Sequence, residues 1–185
     1  PLGPIGMQLG GGAGLGWAEG RTATLPLEER FRIGGASTLR GYALDSVGPK
    51  NRVALSDIDW PEALEPLVEE AARDATDRWV PTGGDAMLHT SAELWVPLKV
   101  MGLSRTDTTS LVGFVDAGNV FFVDPTVLAT SAVVDPEPLL RYGVGAGLRI
   151  RTPVGPMQVD VGVNPQYFAA AWPEERGEDP WRLHF

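Results

Sequence analysis

The sequence predicts an all-β fold, with about six long antiparallel strands forming part of a membrane-spanning barrel. Three observations point there. Apolar residues alternate with small or polar ones in six separate stretches. Several stretches run to about 11–13 residues by pattern, against about 5–6 in ordinary globular sheets and about 9–11 in membrane-spanning strands. The connections between them are alternately long and short, as in outer-membrane barrels, where turns on one side face loops on the other.

In order along the chain, Ile5–Trp17 puts Ile5, Met7, Leu9, Leu15 and Trp17 at odd positions and Gly6, Gln8, Gly10, Gly12, Gly14 and Gly16 at even ones. That is the period of a strand. Residues 18–85 form the longest connection. Within them Trp60–Trp79 places Leu64, Leu67, Val68, Ala71, Ala72 and Ala75 at helical spacing in an acidic background. A short helical insert is expected near 60–79. It reads first as a solvated cover of the loop and second as a partner-binding element.

Ala86–Leu98 alternates again, with His89, Ser91, Glu93 and Trp95 opposite Leu88, Ala92, Leu94 and Val96. After a short connection (99–110), Leu111–Phe122 forms the third strand. A longer connection (123–140) precedes Arg141–Arg151, in which Tyr142, Val144, Ala146, Leu148 and Ile150 oppose Arg141, Gly143, Gly145, Gly147, Arg149 and Arg151. The brief "TPVGP" leads into Met157, Val159, Val161 and Val163, which alternate with Gln158, Asp160, Gly162 and Asn164. Residues 165–180 are again long. The closing "WRLHF" sets Trp181, Leu183 and Phe185 on one side.

A soluble antiparallel sheet with one wet face would show similar alternation. The polar face argues for a barrel lumen instead. It combines glycines with charges of both signs: Glu93, Asp116, Arg141, Arg149, Arg151 and Asp160. A lumen crowded by an inserted segment needs clearance and internal charge pairing. If the chain ends in the periplasm, 18–85, 123–140 and 165–180 are external, and each is longer than the connections assigned to the periplasm.

The 185 residues carry a formal charge of −9, which argues against nucleic acid as a partner. There is no cysteine, so disulfides, thiolate metal sites and cysteine nucleophiles are excluded. His89 and His184 are far apart in sequence and do not suggest a zinc site. No cofactor and no metal are expected. No nucleotide-binding loop of the G-x-x-x-x-G-K-[ST] type occurs, since "GGGAGLG" sits in a strand pattern without the lysine. No G-x-S-x-G nucleophile elbow occurs either. The chain begins without Met and shows no leader, which reads as a piece of a longer protein.

"RIGGASTLRGY" (Arg32–Tyr42) followed by "GFVDAGNVF" (Gly113–Phe121) resembles the signatures of the BamA-type family of outer-membrane β-barrel assembly and translocation proteins, the bacterial surface antigen superfamily. The first matches an arginine-glycine-aromatic loop signature at Leu39, Arg40, Gly41 and Tyr42, preceded by Gly34 and Gly35. The second matches an aromatic-x-Asp-x-Gly strand signature at Phe114, Asp116 and Gly118. "LPLEERF", "SAELWVPL", "LRYGVGAGLRIRTPVGPMQVDVG" and "RLHF" are further echoes in the family's order.

The resemblance implies that the long loop folds into the lumen and that Arg40 pairs with Asp116. Gly113 and Gly118 would then relieve crowding beside the loop. Glu93, Arg149, Arg151 and Asp160 are candidates for a surrounding network, with plain lumen lining as the alternative. Six strands cannot close a barrel when the smallest outer-membrane barrels have eight. Residues 1–185 are therefore expected to be the C-terminal part of a larger barrel, with periplasmic POTRA domains and the first strand upstream. Phe185 is either a terminal aromatic or the edge of a cut.

The implied function is non-enzymatic: insertion and folding of β-barrel clients in the bacterial outer membrane, the C-terminus facing the periplasm. The implied partners are outer-membrane lipids, unfolded β-barrel clients and accessory lipoproteins reached through the POTRA region. The alternatives are a polypeptide translocation or secretion pore of the same family, a membrane-anchored enzyme and a soluble all-β binding module.

Overall fold

The structure, a computed structural model, describes residues 5–19, 25–53, 78–123, 140–168 and 178–185. Six strands of 4 to 13 residues form one antiparallel sheet in which spatial neighbours follow one another along the chain, two short strands of the first connection being set aside. They are β1 (Gly6–Leu15), β4 (Ala86–Pro97), β5 (Thr109–Phe121), β6 (Arg141–Thr152), β7 (Gly155–Val163) and β8 (Trp181–His184). Two short strands inside the first connection, β2 (Lys50–Val53) and β3 (Arg78–Pro81), pair with each other as a separate sheet. This pair was not expected from the sequence. It places Trp79 in a strand, so a helix cannot extend to that residue. The remainder of the predicted insert lies outside the described residues. A single-turn 3-10 segment, Pro165–Phe168, follows β7.

The alternation decides which way each strand faces. On β5, Val112, Phe114, Asp116, Gly118 and Val120 are buried, while Leu111, Val115 and Phe121 are exposed. The same outward row continues as Met7, Leu9 and Leu15 on β1, Leu88 and Leu94 on β4, Leu148 on β6, Val159 and Val161 on β7, and Leu183 on β8. A continuous apolar outer face of this kind suits lipid and not water. The sheet is open: among the described residues β1 and β8 do not pair with each other. This agrees with part of a barrel and not a whole one.

The connections divide by end. At one end β4 and β5 are joined across residues 98–108, and β6 and β7 across Pro153 and Val154. At the other end the strands are linked through 16–85, 122–140 and 164–180. The two are called here the turn end and the loop end.

The core is built by the first loop. Ile33, Leu39, Tyr42 and Val47 pack with Val120 of β5, and Phe31 and Met87 lie against them. The loop is held in shape by isolated bridges between Phe31 and Gly84, Ile33 and Val47, and Gly35 and Leu39. Thr38 closes the turn reciprocally: its hydroxyl accepts from Gly34 N at 2.8 Å and donates to Gly34 O at 3.0 Å. Gly34 has φ 126°, and a Cβ there would lie 2.2 Å from Ala43 O. No L side chain fits either condition.

The glycines that make room for the loop are not those expected. Gly113 faces outward, and a Cβ there meets nothing within 4 Å. Its odd position puts it on the face opposite Asp116. Gly118 does face inward, but its crowding comes from strand β4, with Leu88 O at 2.7 Å. The loop lies instead on Gly143 and Gly162. A Cβ at Gly143 would be 1.9 Å from Arg40 O, and one at Gly162 would be 2.3 Å from Gly41 N. Backbone cannot yield as a flexible side chain can, so Gly143→Ala should displace the loop. Expected is loss of the compact, heat-modifiable band of the full-length protein on unheated gels, whereas Gly113→Ala leaves that band unchanged.

Candidate functional site

Arg40 reaches the sheet from the loop and is only 4% exposed. Its guanidinium carbon lies over the Phe114 ring, 3.6 Å from the centroid. Asp116 takes it in a fork: Nε donates to Oδ2 at 2.7 Å and Nη2 to Oδ1 at 2.7 Å. The Arg40 backbone N–H also donates to Asp116 Oδ2, at 3.1 Å. The remaining N–H groups go to Ser91 Oγ at 3.0 Å, to Asp160 Oδ2 at 3.2 Å and to Glu93 Oε1. All five guanidinium donors thus have acceptors, the full capacity of the group. The Ser91 hydroxyl in turn donates a hydrogen bond to Asp116 Oδ1 at 2.6 Å.

Register explains how four strands deliver these groups. Ser91 of β4 stands directly opposite Asp116 of β5, and Glu93 is the next inward residue along β4. Asp160 of β7 stands opposite Gly147 of β6. On β6 the inward row Gly143, Gly145 and Gly147 forms a trench. Cβ atoms there would collide with Arg40 O, the Phe114 ring and the Asp160 carboxylate respectively, at 1.9, 2.4 and 1.8 Å. Arg149, further along the same row, pairs with Asp160 and donates to Glu93 Oε1 at 3.1 Å. Two guanidinium groups therefore face three carboxylates. Burial alone would push the Arg40 pKa down. Hydrogen bonding and charge from Asp116, with Glu93 and Asp160, outweigh it and hold the pKa above its ordinary value.

Among the residues singled out in the sequence, the structure brings together Arg40, Asp116, Phe114, Glu93, Asp160 and Arg149. Arg151 stands apart: it is exposed near the turn end and makes no ion pair among the described residues. Gly41 has φ 97°, and its backbone N–H donates to Nε2 of His184 on β8 at 3.2 Å. Leu39 is fully buried in the loop core, and Tyr42 is 2% exposed.

Tyr42 leads to a second cluster that sequence reading missed. Its hydroxyl donates to Asn164 Oδ1 at 2.8 Å. Asn164 Nδ2 donates to Glu178 Oε2 at 3.3 Å. Glu178 pairs through its other oxygen with Lys50 of β2 and through Oε2 with Arg141 of β6 at 3.2 Å. Lys50, Arg141 and Asn164 are all buried. Arg141 and Asn164 were visible on the inward face of the pattern. Lys50 and Glu178 lie in connections, where no period marks direction.

Chemically the arrangement is a clamp. Its carboxylates are engaged by guanidinium groups, and among the described residues no group of three or more His, Cys, Asp or Glu is placed to hold a metal ion.

Residues 4–169 match the family described as Omp85 superfamily domain. The chain is similar to the outer membrane protein assembly factor BamA of Neisseria meningitidis serogroup B, with 28% identity over 168 residues. That match takes in 82% of this chain and 18% of the relative, so the chain spans less than a fifth of the relative's length.

Removing one partner of a buried charge pair costs about 3–5 kcal/mol, because the other is left unpaired. Arg40→Ala and Asp116→Ala should each cost that much, and the double variant less than their sum. Arg40→Lys should remain destabilised, since an ammonium cannot form the fork or cover the ring. Protease sensitivity of residues 31–49 in the folded full-length protein measures all four.

Proposed function

The chain belongs to the Omp85 superfamily, and on that premise we propose that it is the C-terminal part of an outer-membrane barrel whose full-length protein inserts and folds β-barrel proteins. The observation that carries this reading is the Arg40–Asp116 clamp, which seats a long loop on the lumen face of an open antiparallel sheet. The similarity to a protein named as an assembly factor supports assembly as its role.

The proposed mechanism is physical and uses no enzymatic step. A strand edge presents unpaired N–H and C=O groups, which an incoming strand can satisfy by β-augmentation. The client's own burial of apolar surface and its closing hydrogen bonds drive the process. The loop fills the lumen on the inner side, so the sheet keeps its curvature while an edge stands unpaired. In this reading residues 18–85 form an extracellular loop inserted in the lumen, with its helical insert near 60–79. The turn end and the C-terminus face the periplasm. Upstream POTRA domains recruit accessory lipoproteins, and the outer face contacts outer-membrane lipid.

The second reading is a polypeptide translocation or secretion pore of the same family, in which the loop is a plug that moves aside. Depletion of the full-length protein separates the two. Assembly predicts a general fall in folded outer-membrane barrels, with unfolded clients accumulating in the periplasm. Unchanged barrel levels, with one exported polypeptide retained, would overturn the assembly reading in favour of the pore.

A further inference from the structure

We propose that the turn end of the sheet is a seat for anionic phospholipid, with two turn tips entering the leaflet and flanking cations meeting lipid phosphates. The inference rests on the barrel reading above and adds to it a lipid class and the residues that select it.

The tips are aliphatic where a solvated turn would be polar. Val100, Met101 and Leu103 crown the 98–108 turn, and Val154 crowns the next one; all four are exposed, Val154 to 95%. The turns are neighbours, because β5 pairs with β6 and Arg151 N donates to Thr108 O at 2.8 Å. The tips continue an outward row that is already apolar: Leu94, Leu111, Leu148 and Met157 are exposed on β4 to β7 next to these turns. Apolar surface continuous with a lipid-facing belt is stabilised by entering the same leaflet.

The two ends of the sheet differ. At the loop end, exposed Trp17, Phe121, Tyr142, Phe168 and Trp181 form an aromatic rim, the usual residue class at headgroup level. At the turn end the outward residues of β4 to β7 nearest the turns are aliphatic, and cations stand beside them. Segments 98–109 and 151–156 hold Lys99, Arg105 and Arg151 against one acid, Asp107, in a chain whose net charge is −9. Lys99 pairs with Asp107 at 2.9 Å. Arg105 and Arg151 are exposed and make no ion pair among the described residues. Aliphatic tips with one exposed guanidinium on the same turn (Arg105) and another at the rim beside it (Arg151) suit an anionic leaflet: the tips enter the acyl region and the guanidinium groups fork onto phosphate.

The test uses the full-length protein in vesicles, with a bimane fluorophore on a single Cys at Leu103, Val154 or, as a reference on the outer belt, Val115. Brominated phosphatidylcholine and brominated phosphatidylglycerol serve as quenchers. Expected is quenching at all three positions, with the phosphatidylglycerol preference greater at 103 and 154 than at 115. That preference should fall about fivefold per cation removed in Arg105→Gln and Arg151→Gln. Quenching at 115 with none at 103 and 154 would overturn the seat while leaving the barrel reading intact. A blue-shifted but unquenched probe at the tips would put protein there and also overturn it. Equal quenching by both lipids would overturn the anionic assignment. No quenching at 115 would overturn the barrel reading itself.

Discussion

A guanidinium group with 4% exposure is tolerated only when every N–H has an acceptor, and the inner face of the sheet is arranged around that demand for Arg40. Three strands supply the acceptors: Ser91 and Glu93 from β4, Asp116 from β5 and Asp160 from β7. β6 supplies none to Arg40. Its inward row supplies space through Gly143, Gly145 and Gly147, then a second cation through Arg149. Without that cation, three carboxylates would share one positive charge. With it, like charges are interleaved with opposite ones, and a costly burial becomes a specific fit.

Much of this was legible because a strand has period two. Alternation alone identified the six strands of the main sheet and sorted Glu93, Asp116, Arg149 and Asp160 onto the inward face. Alternation does not report depth. Arg149 and Arg151 share a face, yet two residues of strand amount to about 6.6–6.8 Å, enough to carry Arg151 beyond the clamp to the rim. Gly113 shows the converse. Its parity already assigned it outward, and only its nearness to Asp116 in sequence suggested a clearance role. β2, β3, Lys50 and Glu178 were not legible, since their positions follow from the folded path of the loops and not from any local period.

The second cluster changes what the first can do. A single clamp at Arg40 would leave the loop able to pivot about one point. Tyr42 follows Arg40 by two residues and engages Asn164, which is joined through Glu178 to Lys50 and Arg141. The loop is thereby pinned at two places, one toward the middle of the sheet and one toward the loop end. Lys50 lies on β2, so the second pin also ties down the far side of the same loop. Removal of either pin leaves a hinge, and removal of both frees the core formed by Ile33, Leu39, Tyr42, Val47 and Val120.

The same geometry bears on the last strand. β8 pairs with β7 from Asp160 to Val163. Its inward residue His184 stands opposite Asp160 and accepts the N–H of Gly41, the residue after Arg40. A second hold on β8 therefore comes from the loop, through the backbone beside the clamp. Gly41 follows Arg40 directly, so the geometry that seats Arg40 also sets the Gly41 N–H toward His184. The loop that carries the clamp is thus joined to β8 by the hydrogen bond beside Arg40.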